Sequence, residues 1–366
     1  MMRFCAVGFI FLWCCLIARA EEPAWKVSLP GWEYAFPRDH GSHPDFQTEW
    51  WYFTGNVTAD DGSEFGYQLT FFRQGVIPPS VTIPQSEFVV RDVKFAHFAV
   101  SEISRSKFHH FQRLSRGSFG EAGFDDATRL TWIRDWTCEL AGDNGFLLKA
   151  AEKGVQIELL LEGEKPPVFH GKDGISQKAA GEGRASHYYS LTRLKTKGTI
   201  AIEGKTYRVH GLSWFDHEWA TNQLTADQVG WDWFSIQLND GSELMLFQIR
   251  TKAGERDAFS SGTFVYPDGS ARAIPNTDFT ALPTAWWKSE KSGGNYPIEW
   301  KLFVPSLDLA LTLRARFNEQ ELDAAPFAYW EGAIGVTGSR GAAQVAGKGY
   351  LEMTGYAGRI VGLQAK

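Results

Sequence analysis

The sequence predicts an all-β protein built from antiparallel hairpins. Apolar and polar residues alternate with period two through most of the chain, Asp-Gly, Glu-Gly and Pro signals interrupt the alternation at short intervals, and no segment sustains a helical period. An internal echo then predicts how the strands group. "RDHGSHPDFQTEWWYFTGNVTADDGSEFGYQLTFFR" (Arg38 to Arg73) can be laid beside "FDHEWATNQLTADQVGWDWFSIQLNDGSELMLFQIR" (Phe215 to Arg250): an Asp-His pair, a Trp-rich strand, Asp-Gly-Ser-Glu and a strand ending in Arg recur in that order. The expectation is two tandem β-domains related by duplication, residues 30–190 and 191–366, with Trp51 and Trp233 in comparable strands.

Ahead of these units, residues 1–20 read as a secretory signal. Arg3 precedes an apolar run from Phe4 to Ala18, and Ala18-Arg19-Ala20 is a small-x-small cleavage pattern. The run is shorter than the roughly 20 residues a spanning helix needs, so the mature chain is expected to carry no transmembrane helix and to be exported, to the periplasm or beyond. Cys5, Cys14 and Cys15 leave with the signal, and Cys138 alone cannot form an intramolecular disulfide. Removing Arg3 and Arg19 takes the basic count from 37 to 35 against 43 acidic residues, a formal charge near −8. That balance disfavours a nucleic-acid partner.

Along the first unit, "EFGYQLTFFRQ", "KFAHFAVSEIS" and "GVQIELLLEG" alternate as half-buried strands; along the second, "GTIAIEGKTYRVHG", "ELMLFQIRT" and "SGTFVYPDGSARAI" do the same. Between them, Glu162 to Ser190 is rich in Gly and Lys and contains Pro-Pro. This stretch is expected to be a long loop, either a lid or a flexible connector.

The chemistry concentrates in "GLSWFDHEWATNQ" (Gly211 to Gln223), where Asp216, His217 and Glu218 stand between Trp214 and Trp219. On an extended strand Leu212, Trp214, Asp216 and Glu218 share one face, and Ser213, Phe215, His217 and Trp219 the other. Asp216 and Glu218 would then lie about 6.5–7 Å apart. Two such carboxylates beside Trp214 cannot both ionise cheaply, so one gains a raised pKa and can serve as a general acid. The structural alternative has Asp216 accepting hydrogen bonds from a turn and Glu218 pairing with Arg184 or Arg208. In "SHYYS", His187 and Tyr189 face one way, Tyr188 and Ser190 the other; in "TEWWYFTG", Glu49, Trp51 and Phe53 oppose Trp50 and Tyr52. A metal set can be assembled from His40, His43, His217 and Glu218, but His-x-x-His without a second half is a weak signal, and no metal is expected. No nucleophile elbow, phosphate-cradling loop or dinucleotide fingerprint is present, so no cofactor is expected.

Taken together, "EWWYFTG", "ASHYYSLTRL", "GLSWFDHEW", "GWDWFSIQLNDGSELMLFQIR" and "YWEGAIGVTG…GKGYLEMTGY" resemble the secreted lipocalin-like AttH family, which is related to carotenoid 1,2-hydratase and also described as secreted hydrolases or export-system accessory proteins. The resemblance spans about residue 30 to 360. It implies two lipocalin-like barrels or sandwiches with an apolar cavity between or within them, and it makes Asp216 the proton donor. The candidate catalytic set is Asp216, Glu218 and His217; the candidate pocket is Trp214, His187, Tyr188, Tyr189, Trp231, Glu49 and Trp51. Two functions follow nearly level: a cofactor-independent hydro-lyase adding water to a C=C bond of an isoprenoid or lipid-like ligand, or a non-catalytic lipid carrier serving ABC-export machinery. A carbohydrate-active enzyme or a pericyclase ranks below both.

Overall fold

The computed structural model of the chain describes residues 24–84, 86, 88–324 and 327–358. The expected cleavage after Ala20, with Cys5, Cys14 and Cys15, lies outside the described residues. Where the sequence alternates, strands form: β1 (Thr48–Ala59), β2 (Glu64–Gly75), β3 (Asp92–Glu102), β4 (Lys107–Ser115), β5 (Ala122–Phe124), β6 (Arg129–Ile133), β7 (Trp136–Leu140), β8 (Gly145–Glu152), β9 (Val155–Gly163), β10 (Val168–Phe169), β11 (Ile175–Gln177), β12 (Ala185–Ile202) and β13 (Lys205–Ala220) make one sheet. The second sheet holds β14 (Gln228–Leu238), β15 (Glu243–Thr251), β16 (Ser261–Val265), β17 (Ala271–Ile274), β18 (Thr280–Lys288), β19 (Asn295–Val304), β20 (Leu309–Ala315), β21 (Glu321–Ala324), β22 (Phe327–Arg340) and β23 (Ala343–Met353). Among the described residues the only helices are short 3-10 turns. Both sheets curl, the first nearly into a barrel and the second into a half-barrel.

One strand order serves both sheets. In the first it runs β4-β3-β2-β1-β13-β12-β9-β8-β7-β6-β5, and in the second β17-β16-β15-β14-β23-β22-β20-β19-β18. Each sheet therefore pairs its first strand with its last. The turns that follow the first strands also match: Gly62 and Gly241 take φ of 84° and 82°, and the amides of Ser63 and Ser242 donate to Asp61 and Asp240 at 3.0 and 2.9 Å. Such left-handed turn positions suit Gly because it has no Cβ to clash.

Two expectations need correction. The sheets change between Ala220 and Gln228 rather than near residue 190, because β12 spans that position and pairs with β13 along most of its length, keeping the hairpin in the first sheet. The Asp-His echo is not structural either. Asp39 and His40 lie in a 3-10 turn, Arg38–His40, whereas Asp216 and His217 lie within β13. Trp51 and Trp233 do stand in the first strands of their sheets, but Trp51 packs inside the first sheet and Trp233 between the two.

Four apolar clusters follow from this arrangement: one inside each curled sheet, a third between them that joins Tyr52, Tyr188 and Trp214 to Trp233, Phe247 and Tyr350, and a small fourth that joins Ala99 of β3 to Leu322, Ala324 and Tyr329. Close approach of the sheets needs Gly66 on β2, where a Cβ would meet the Ala333 Cβ at 2.8 Å. Residues 162–190, expected as a loop, include β10 and β11 and are pinned by polar ties. Lys165 donates to the fully buried Glu243 at 2.7 Å, where Arg193 also binds, and His170 bridges Ser190 (2.6 Å) and Thr263 (2.9 Å). Glu243 thus joins β15 to the first sheet through two cations. Glu243→Ala strands both cations near the interface and is expected to destabilise the protein by about 3–5 kcal/mol, read as a lowered urea midpoint.

Candidate active site

β13 is extended through the Asp-His-Glu motif, so alternation sends Asp216 and Glu218 to one face and His217 to the other. The carboxyl face lines a cavity of about 460 Å³ between the sheets. Two neighbouring cross-strand rows make its floor. One runs Ser190, Asp216, Tyr52, Thr70, His97 and Gln112 across β12, β13, β1, β2, β3 and β4; the next runs Tyr188, Glu218, Trp50, Phe72, Phe95 and Leu114, and all but Ser190 and Thr70 line the cavity. From the second sheet, Trp233 is flanked by Phe247 on β15 and Glu352 on β23, and Trp231 by Ile249; all five line the cavity.

Asp216 is buried and meets three donors. Tyr188 donates to Oδ2 at 2.7 Å, Trp214 Nε1 to Oδ1 at 2.6 Å, and Ser190 also to Oδ1. Three bonds leave one of the carboxylate's roughly four lone-pair positions for a proton. Burial, the largest influence, pushes the Asp216 pKa up to about 7 against these donors, and the charge of Glu218 adds to the rise. Across the cavity, Glu352 is pushed up to about 8 by burial and by the charges of Asp216 and Glu218. Its cross-strand neighbour Glu331 is fully buried, accepts from Tyr52 at 2.5 Å, and is raised well above the ordinary range by burial and then by Glu352. Lys178 contacts Glu218 at 3.2 Å and lies 4.0 Å over the Phe247 ring. Trp233 Nε1 donates to the Tyr188 hydroxyl at 3.0 Å, tying the acid's partner to the second sheet.

Six candidates from the sequence lie elsewhere or behind the cavity. His217, Glu49, Trp51, His187 and Tyr189 face the interior of the first sheet, because they sit at the opposite parity on β13, β1 and β12. Trp214 shares the parity of Asp216 but holds it from behind rather than lining the cavity. On the inner face, Glu49 Oε1 accepts from His43 Nδ1 at 2.7 Å and His217 Nε2 at 3.0 Å, and Oε2 from Arg73 Nε at 3.1 Å. Burial works to raise the Glu49 pKa, yet the charges and hydrogen bonds of His43, His217 and Arg73 hold it well below the carboxylate range. His43 stacks flat on Trp219 at 3.7 Å, and Tyr189 bonds His40 at 2.7 Å. His43, Glu49 and His217 bring ligand atoms within 4.8 Å of one another, the nearest approach to the metal set read from the sequence. His40 is engaged with Tyr189 and Glu218 lies on the opposite face of β13. Because Arg73 and both imidazoles already meet the Glu49 charge, this cluster is an ion network that fixes β1 against β13.

Of the candidates from the sequence, Asp216, Glu218, Tyr188 and Trp231 line the cavity; Glu352, Lys178, Trp233 and Tyr52 line it as well without having been among them. Tyr52 was within reach, since it shares a face with Trp50; Glu352 and Lys178 arrive only through the closure of the second sheet and the 162–190 connection.

Residues 27–356 match the AttH-like family. The chain belongs to that family. A crystal structure assigned to AttH from Nitrosomonas europaea superposes on this AttH-like protein with a TM-score of 0.81 at 31% identity, covering 90% of this chain and 98% of that one. Kievitone hydratase from Nectria haematococca shares the fold at a TM-score of 0.69 and 14% identity, over 88% of this chain and 92% of its own. Dehydratase asqC of Emericella nidulans is 22% identical over 230 residues, 61% of this chain and 64% of asqC, so the match spans just under two thirds of that relative.

The raised Asp216 pKa has a definite sign for stability. From the ordinary 3.8 to about 7 the folded state holds a proton that the unfolded chain has lost, so this group's contribution is full below pH 4 and declines as pH rises through 7. Between pH 5 and 8 the wild type is expected to lose roughly 2–3 kcal/mol that Asp216→Asn does not lose. Chemical denaturation of both proteins at the two pH values measures the difference.

Proposed function

We propose that this AttH-like protein is a hydro-lyase that adds water to, or removes it from, an apolar small molecule held between its two sheets, with Asp216 as the acid. The observation that carries the reading is a carboxyl with a pKa near 7 lining an aromatic cavity. A general acid works best when its pKa lies near the working pH. In the hydration direction the Asp216 O–H bond breaks and its proton forms a C–H bond at one alkene carbon, leaving a carbocation on the other. Faces of Trp50, Trp231 or Trp233 can stabilise that cation by about 1–2 kcal/mol each when water is excluded. Water then forms the C–O bond, and its surplus proton returns to the Asp216 carboxylate, directly or by way of Glu218. Dehydration is the same path reversed. These steps draw only on side chains and water.

The names of two relatives, a hydratase and a dehydratase, support this class of reaction. The carrier reading draws support from the apolar walls alone. Carboxyls weigh against it, since burying Asp216, Glu218 and Glu352 around a stored lipid lowers stability with no gain in retention. Export of the protein is part of the proposal and rests on the leader pattern in residues 1–20.

The test begins with solvent extraction of the purified protein and mass spectrometry of the ligand that travels with it. Incubated in heavy-oxygen water, wild type is expected to convert this ligand to a product that carries one labelled water or, in the dehydration direction, has lost one water. Asp216→Asn should retain the ligand while turnover drops by roughly two to four orders of magnitude. Unchanged turnover in the variant, or conversion by neither protein with ligand still bound to both, contradicts the proposal.

A further inference from the structure

The cavity has a second polar end that the acid chemistry leaves unused. In the floor row that begins at Ser190 and Asp216, Tyr52 and Thr70 lead to His97 and Gln112 on β3 and β4. Three strand spacings separate Asp216 from His97, a span of roughly 14 Å along the sheet. Between the two ends the adjoining row is apolar, with Trp50, Phe72 and Phe95. His97 is buried and its Nδ1 lies 2.7 Å from the Tyr329 hydroxyl, which comes from β22 of the second sheet. Its Nε2 lies 3.4 Å from the Gln112 amide nitrogen.

These contacts fit one set of hydrogen-bond roles. With the Gln112 amide donating to Nε2, the imidazole proton sits on Nδ1 and is donated to the Tyr329 oxygen. The Tyr329 O–H hydrogen is then left to donate elsewhere, and the Gln112 side-chain carbonyl to accept. Both residues line the cavity. Burial keeps His97 neutral, with its pKa lowered to about 3, so none of the described residues lining this end offers a positive charge to an anion. Around the rest of the cavity three carboxyls, Asp216, Glu218 and Glu352, face one ammonium among the described residues, that of Lys178, which Glu218 already contacts.

We propose that Tyr329, His97 and Gln112 form a second, neutral subsite, which binds an uncharged oxygen, a hydroxyl or carbonyl, at the end of the substrate remote from the reacting carbons. The inference rests on the cavity being the substrate site of the proposed hydro-lyase, and it narrows the substrate to an elongated, uncharged molecule with oxygen at one end. Tyr329 donates to that oxygen, Gln112 accepts from a hydroxyl, and His97 positions Tyr329. A carboxylate or phosphate at either end meets the acidic lining with no free cation among the described residues.

The experiment reads binding without turnover. The full chain carrying Asp216→Asn is titrated at pH 8 with three probes of equal chain length, farnesol, farnesene and farnesoic acid, by quenching of tryptophan fluorescence. Farnesol is expected to bind roughly three- to tenfold more tightly than farnesene, the worth of a net hydrogen bond, and farnesoate more weakly than either. Adding Tyr329→Phe should remove the preference for farnesol and leave farnesene binding unchanged, which a packing role for the ring would not do. Equal affinity for farnesol and farnesene, parallel loss of both in the Tyr329 variant, or binding of no probe overturns the subsite. Because every protein in the series lacks the acid, a failure of the hydration chemistry leaves this result standing, and a failure here leaves the acid untouched.

Discussion

Period-two alternation along β13 is the constraint on which the rest of the structure depends. Asp216 and Glu218 on one face and His217 and Trp219 on the other are separated only by the thickness of the sheet, yet they serve different environments. A slip of one residue would exchange the faces, sending carboxyls into the first core and an imidazole into the cavity. Register with β1 and β12 is held on the inner side by the Glu49 ion network and on the outer side by Tyr188 and Ser190 bonding Asp216. The inner cluster, with its histidines and buried carboxylate, therefore works as a lock on the strand that carries the acid.

The second sheet makes that acid useful. Trp233 and Glu352 come from strands beyond residue 227, and they close the cavity over the Asp216 face. Closure desolvates the carboxyl, while three donors keep it oriented in either protonation state. Glu352 and Glu331, cross-strand neighbours on β23 and β22, extend the acidic end across the interface. Their mutual repulsion, and that of Asp216 and Glu218, favours the protonated form of the cavity's carboxyls.

Much of this was legible in the amino-acid order. Alternation sufficed for the all-β class, for the shared face of Asp216 and Glu218, and for the opposition of Tyr188 to Tyr189. It did not say which face met the cavity, because that depends on cross-strand register, and so Glu49, Trp51, His187, Tyr189 and His217 were gathered into a site from which the sheet divides them. Reading the strands from about residue 190 as the start of the second unit puts the boundary too early, because β12 and β13 close the first sheet, and the Asp39-His40 and Asp216-His217 pairs do not correspond. Those pairs share letters without sharing backbone, one in a 3-10 turn and one in a strand, whereas the matching Asp-Gly-Ser turns at 61–63 and 240–242 mark the true correspondence of β1 with β14. Glu352 and Lys178 carry no local signal at all, since each reaches the cavity through long-range closure.

The central claim is that a carboxyl stays protonated near neutral pH in this cavity. Difference infrared spectroscopy of wild type minus Asp216→Asn, followed across pH, observes the protonated carboxyl of Asp216 directly. The account predicts a carbonyl band present at pH 5 to 6 that disappears in a titration centred near 7. A band already lost by pH 5, with its midpoint near the ordinary 3.8, would contradict it.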